Sequence, residues 1–395
     1  MAFYSTAFMS SAYFKTNLDQ KLQDIYVHLG HHYTQYSKIG ALNGLAGIAL
    51  FQFYYEESLG LHSENSLKTI NFCIEKINEG HFSASYCNGL AGFAWLLNHL
   101  EEYNFVEKDE FTSILSAIDT QIEYYLQQYI LHDNYDFFHG ALGCIFYFLK
   151  RTAHSREYEK QISLFFSKLP YLYKTIRDYD LCKLAVSETI EGKLKKRLHL
   201  GPAHGISGII AILGIAYGKK YFQKQSEQWL EKFTQLVLET KMPPDSISVF
   251  PIWIDLETEE KSFSSLSWCA GDIGIGAALL NTSTLLGKPV WNVQSADILK
   301  KAAQRKDITQ SMINGYGICH GYFGASRIFS RAYHTNRVQE FEEASLYWLK
   351  KGMDSFIITK ESPMSILNGL AGAGLVMLDY QQEKISSWDE CLLIS

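Results

Sequence analysis

Seven short glycine elements punctuate this chain: Asn43–Gly47, Asn88–Gly92, His139–Gly143, His204–Gly208, Trp268–Gly274, Cys319–Gly324 and Asn368–Gly372. Their first glycines fall at 44, 89, 140, 205, 271, 321 and 369, so the gaps are 45, 51, 65, 66, 50 and 48 residues. A recurrence near 50 residues specifies an array of like units, none of which can bury its apolar face alone. Each element opens an apolar run, such as Ile48–Phe51, Phe93–Leu97, Ile145–Leu149 and Ile209–Leu213. A more amphipathic stretch follows; Leu115, Ile118, Ile122 and Leu126 show the helical spacing. Glycine at the start of the apolar run lets backbone approach backbone. One helical hairpin per repeat is therefore expected, with the buried helix inside. Seven hairpins closing on themselves make an all-α fold, an α/α toroid, with residues 1–395 as one domain and the glycine turns ringing one mouth of a central cavity.

Two gaps exceed the others by about 15 residues. The stretches 178–202 and 242–268 are the expected insertions. The second holds Pro243-Pro244 and then Ile247–Ile254, which reads as extended chain, a short strand pair.

Composition narrows the function. Hydrophobic residues at 47% and charged residues at 20% describe a globular chain with a large core, and the net charge of −6 argues against nucleic acid as a partner. The run Lys193–Arg197 reads as a solvated loop. Met1–Phe14 carries no positive charge and no long apolar run, so it is not a secretory signal. No apolar stretch is long enough to span a membrane. Seven cysteines without a signal imply a reducing, cytoplasmic setting, where cysteine beside histidine suggests metal or catalysis rather than disulfides.

The repeat supplies a common register in which chemistry stands out. The residues just before the first glycines are Asn43, Asn88, His139, His204, Ala270, His320 and Asn368; one step earlier stand Leu42, Cys87, Phe138, Ala203, Cys269, Cys319 and Leu367. In a toroid these positions share the cavity mouth, so Cys269, Cys319 and His320 converge from adjacent repeats. Two thiolates and an imidazole with a fourth position open suit one catalytic zinc ion per chain. A lone cysteine in a helical protein is ordinarily a small buried hydrophobe, and only the in-register Cys319-His320 pair lifts Cys269 and Cys319 above that reading. Cys87 shares the register without a histidine and reads as packing; Cys73, Cys144, Cys182 and Cys391 lie outside it and read as inert. His204 is placed to exchange a proton in the cavity, and His139 either does the same or caps its own turn. Asp136, flanked by aromatics, either orients a histidine, contacts substrate or caps a helix.

At these residues the chain resembles the LanC-like lanthionine synthetases, the lanthipeptide cyclases, through all seven glycine elements. The specific motifs are Ser267-Trp268-Cys269-Ala270-Gly271 and Cys319-His320-Gly321, supported by Ala203–Gly208 and Tyr135-Asp136. The resemblance implies an α/α toroid holding one zinc ion on Cys269, Cys319 and His320, with His204 and Asp136 as acid–base residues. It implies as substrate a ribosomally made precursor peptide already dehydrated at Ser and Thr. Its cysteine thiols would add to dehydroalanine or dehydrobutyrine to form thioether rings. A dehydratase and a membrane transporter are the implied candidates for partners in a biosynthetic complex.

The chain departs from that family at two positions. Members commonly carry Tyr after the first metal cysteine and Arg four positions before it; Ala270 and Ser265 stand there. Lys261 and Tyr322 are the nearest replacements. A second reading is a zinc-bearing binding module that holds the peptide without efficient chemistry. Protein prenyltransferase β-subunits also use zinc to activate a peptide cysteine, but they take an aspartate ligand and need a partner subunit, and the glycine elements do not suggest them. Toroid glycosidases need paired carboxylates, for which Asp136 and Asp272 are the obvious candidates, and leave the cysteines unexplained.

Overall fold

The computed structural model describes residues 12–62, 64–178, 182–190 and 193–395. Residues 1–11 of the N-terminal stretch, and 179–181, 191 and 192 of the first longer gap, lie outside them. Fourteen helices in two concentric layers dominate the described residues. The inner layer is α2 (Leu45–Ser58), α4 (Leu90–Glu102), α6 (Ala141–Arg151), α8 (Ile206–Gly218), α10 (Asp272–Leu286), α12 (Tyr322–Asn336) and α14 (Leu370–Gln381), and each begins just after a repeat's first glycine. The outer layer is α1 (Ala12–His32), α3 (Glu64–Asn78), α5 (Thr112–Leu131), α7 (Glu159–Arg177), α9 (Gln223–Glu239), α11 (Pro289–Ala303) and α13 (Gln339–Ser355). Inner helices such as α8 are apolar and buried nearly all round, as a helix enclosed by protein must be. Outer helices bury one stripe, in α5 Leu115, Ile118, Ile122 and Leu126. Each inner helix packs against the next, and α14 packs against α2, which closes the α/α toroid.

Six repeats are local hairpins; the seventh is not. The outer helix over α14 is α1, from the other end of the sequence. Lys15 Nζ reaches Glu383 at 2.7 Å and Gln381 Nε2 reaches Asp19 at 3.1 Å across that seam. The residues after α14 serve the interior instead. Ser387–Leu392 form a 3-10 turn whose Trp388, Cys391 and Leu392 are fully buried. Asp389 receives Arg327 Nε at 2.6 Å and Arg331 Nη2 at 2.6 Å, and Glu390 receives Lys150 and the Tyr103 hydroxyl. Buried charges of this kind must stay paired, because removing one partner costs about 3–5 kcal/mol.

A closed belt of backbone hydrogen bonds joins the seven turns. Its acceptors are the carbonyls two residues before each first glycine. Asn43 N–H donates to Cys87 O (2.9 Å), Cys87 to Phe138 (3.0 Å), Phe137 to Ala203 (3.3 Å) and Ala203 to Cys269 (3.3 Å). Trp268 then donates to Cys319 (2.9 Å), Cys319 to Leu367 (2.8 Å) and Leu367 to Leu42 (3.1 Å), which completes the circle. The glycines are required by closeness, not by φ. Gly89 has extended backbone at φ −141°, yet a β-carbon there would overlap the Ser83 carbonyl oxygen. A β-carbon on Gly274 would overlap the Trp268 carbonyl in the same way.

The two long gaps build one structure together. Strands β1 (Ala185–Ile190), β2 (Lys193–His199), β3 (Pro251–Asp255) and β4 (Lys261–Phe263) form an antiparallel sheet in that order. Lys193–Arg197, expected as a loop, is therefore strand. Its charges are accommodated within the sheet: Lys195 pairs with Asp255 at 3.2 Å, and the Arg197 guanidinium lies 3.6 Å over the Trp253 ring. Strand β2 runs directly into Gly201–Gly205 and β4 into Ser264–Gly271, so the sheet flanks the mouth at the fourth and fifth repeats. Among the described residues no helix is long and apolar enough to cross a membrane.

Candidate active site

The belt dictates which side chains meet at the mouth. Trp268 N–H on Cys319 O pins the fifth turn to the sixth, and the donor atoms of Cys269, Cys319 and His320 all lie within 4.8 Å of one another. Cys319 is buried, Cys269 half-buried and His320 exposed, so the cluster opens to the mouth on the histidine side. Cys319 beside it, then His320, hold the Cys269 thiol well below the ordinary cysteine range. That thiolate in turn pushes the Cys319 thiol up and raises the His320 imidazole. One thiol ionises and its neighbour is left holding a proton that a cation would displace. Two sulfurs and one nitrogen at this spacing fit zinc, and the group contains no fourth protein donor among the described residues.

The next two turns carry a carboxylate–imidazole couple. His204 Nδ1 lies 2.5 Å from Asp136 Oδ2, and the other carboxylate oxygen accepts the His139 backbone N–H at 2.7 Å. Asp136 thus does two of the three things the sequence left open: it orients a histidine and caps its own turn. A carboxylate on Nδ1 places the hydrogen there and leaves Nε2 as the exchanging nitrogen. Phe138 connects the two groups. Its ring meets His204 edge-on at 4.9 Å and stacks on Trp268 at 5.7 Å, one residue from Cys269.

Cys87 is 3% exposed, and burial pushes its thiol up to about 12. Cys73, Cys144 and Cys391 are buried and their thiols are likewise pushed up. Tyr322 stacks on Trp348 of the outer helix α13 at 5.9 Å, so its ring is turned away from the mouth. Lys261 lies on the exposed edge strand β4 opposite Ile254. Sequence reasoning missed the support beneath the cysteines. Trp268 Nε1 donates to Leu392 O at 2.9 Å, and Tyr86, next to Cys87, donates to Cys391 O at 3.3 Å. The interior turn 387–392 thus props the mouth from below. Trp268 beside Cys269 was the available signal, but nothing local named its acceptor 124 residues away.

The chain matches known proteins over nearly its full length. The family model of lanthionine synthetase C-like proteins matches residues 19–393. The nisin biosynthesis protein NisC of Lactococcus lactis subsp. lactis is 26% identical over 384 residues, which covers 89% of this chain and 88% of that protein. Among solved structures, nisin cyclase superposes with a TM-score of 0.78 at 22% identity, over 96% of this chain and 98% of the other. That last likeness is one of fold.

Proposed function

This chain belongs to the lanthionine synthetase C-like family, and we propose that it is a zinc-dependent lanthipeptide cyclase that closes thioether rings in a dehydrated precursor peptide. The observation that carries this reading is the meeting of two groups on one mouth: the Cys269–Cys319–His320 donor set and the Asp136–His204 couple, linked through Phe138 and Trp268. Free cysteine has a pKa near 8.5, so a peptide thiol at neutral pH is mostly protonated and a poor nucleophile. A zinc ion held by the two cysteines and His320 would supply the Lewis acidity that keeps such a thiol ionised.

The chain's own residues account for the rest. When the sulfur adds to the β-carbon of dehydroalanine or dehydrobutyrine, the π electrons move toward the carbonyl and Cα must gain a proton. His204 delivers it from Nε2 while Asp136 holds Nδ1, which fixes the ring and stabilises its charged form. The fixed ring presents its proton to one face of the intermediate. The free state of all seven cysteines supports work in a reducing cytoplasm. A dehydratase and a transporter fit as partners that supply the dehydrated peptide and export the product.

The test is metal content followed by free-thiol counting. Purified protein should carry one zinc per chain, and incubation with a dehydrated cysteine-containing peptide should remove thiols that alkylating reagents otherwise label. Ring closure leaves the mass unchanged, so alkylation is the readout. A zinc-loaded protein that binds the peptide and leaves its thiols free is a binding module instead.

A further inference from the structure

The row just before the first glycines contains three histidines, His139, His204 and His320, and the proposed cyclase uses only two. Side chains in this row meet their neighbours in the adjacent repeat: Asn43 Nδ2 donates to Asn88 Oδ1 at 3.3 Å. His139 stands in the same row, between Asn88 and His204.

Its backbone is held on both sides. The N–H donates to Asp136 Oδ1 at 2.7 Å, and the carbonyl accepts from Asn134 Nδ2 at 3.0 Å. The ring meets Phe138 edge-on at 6.0 Å, on the same phenyl ring that His204 meets at 4.9 Å. The residue is exposed, and no hydrogen bond among the described residues uses either ring nitrogen. Partial burial lowers its pKa; Asp136 opposes this, and His204 and Lys38 reinforce it. Near neutral pH the ring is therefore an uncharged imidazole whose N–H has no partner among the described residues, on a backbone held beside the acid–base couple.

We infer that His139 is a further catalytic residue, whose ring N–H hydrogen-bonds the carbonyl oxygen of the dehydro residue as negative charge develops there. The inference rests on the cyclase reading. In the step it assists, the S–Cβ bond forms and the Cα=Cβ π pair moves onto the carbonyl oxygen. The pair returns when Cα takes a proton from His204, and the thiol's own proton restores the balance. A neutral donor suits this task because it strengthens as the oxygen becomes charged and needs no proton transfer of its own.

The experiment compares His139→Leu and His139→Gln with the unmodified protein. It measures thiol loss on a dehydrated peptide, affinity for the same peptide carrying a fluorophore, and zinc content. Neither variant disturbs the backbone N–H that caps Asp136. His139→Leu should slow ring closure by about 10²–10³-fold, with peptide affinity and zinc unchanged. His139→Gln, which keeps an N–H donor but cannot titrate, should recover at least about tenfold of that loss. Leu at the unmodified rate overturns the inference alone, as does Leu that weakens binding as much as it slows turnover. Gln as slow as Leu also overturns it, because the ring would then be moving a proton. An unmodified, zinc-loaded protein that leaves thiols free overturns the cyclase reading itself, and this inference with it.

Discussion

The ring has two arcs built on the same backbone. The seventh, first and second repeats carry one identical pentapeptide, Asn-Gly-Leu-Ala-Gly, at 368–372, 43–47 and 88–92. The third to sixth repeats carry Asp136, His139, His204, Cys269, Cys319 and His320 at or near the equivalent places. Both arcs share the belt, the crowded glycines and the buried inner helices. They differ in how the mouth-facing side chains are satisfied. In the plain arc the contacts are between neutral groups: the Tyr36 hydroxyl donates to Asn43 at 2.7 Å, and Asn43 donates to Asn88. In the other arc a carboxylate holds an imidazole, and two thiols crowd a second one. Cys87 and Cys269 occupy the same register, yet burial pushes one thiol up and a neighbouring cysteine holds the other down. The scaffold is indifferent to the row, and the chemistry comes from what stands one repeat away.

The largest effect should come from the cysteines themselves. Cys319→Ala is expected to abolish both zinc binding and ring closure, whereas Cys87→Ala keeps both and costs about 1 kcal/mol of packing. Metal analysis and thiol counting on the two variants decide whether the arcs differ as described. Next, His204→Ala should slow ring closure by about 10²–10⁴-fold with zinc retained; Asn43→Ala, in the same row of the plain arc, should leave the rate unchanged. Zinc lost in the histidine variant would mean that His204 supports the metal instead.

The glycines test the shared scaffold. Gly92→Ala and Gly274→Ala each drive a β-carbon into a carbonyl oxygen, of Tyr86 and Trp268 respectively, and should cost about 3 kcal/mol or more in either arc. Thermal denaturation showing only one of them to be harmful would break the picture of a uniform ring. Trp268→Phe removes the donor to Leu392 O and should weaken zinc affinity by about tenfold, read by competition with a chelator. The smallest effect concerns pH. The Cys87 thiol stays protonated in the folded chain up to about 12, while an unfolded thiol ionises near 8.5. Its contribution is intact below about 8.5 and falls by about 1.4 kcal/mol per pH unit above it. Urea unfolding at several alkaline pH values should show a shallower decline for Cys87→Ala than for the unmodified protein.

The sequence alone determined the number of units, the place where each inner helix begins and the row of residues at the mouth. It could do so because a glycine forced by close backbone approach is a local requirement that repeats at every turn. Cys269, Cys319, His320 and His204 stood out as candidates for the same reason, each being out of pattern against a repeated register, whereas Asp136 lies outside that register and stood out only by its aromatic flanks and the family resemblance. Partnership across the chain was not legible. The pairing of α1 with α14, the single sheet made from two separate gaps, the turn 387–392 beneath Trp268 and the two oxygens of Asp136 serving His204 and His139 all join residues whose identity says nothing about their mate. Such pairs are selected by closure of the ring, which brings together segments that no local periodicity connects, and only the folded toroid specifies them.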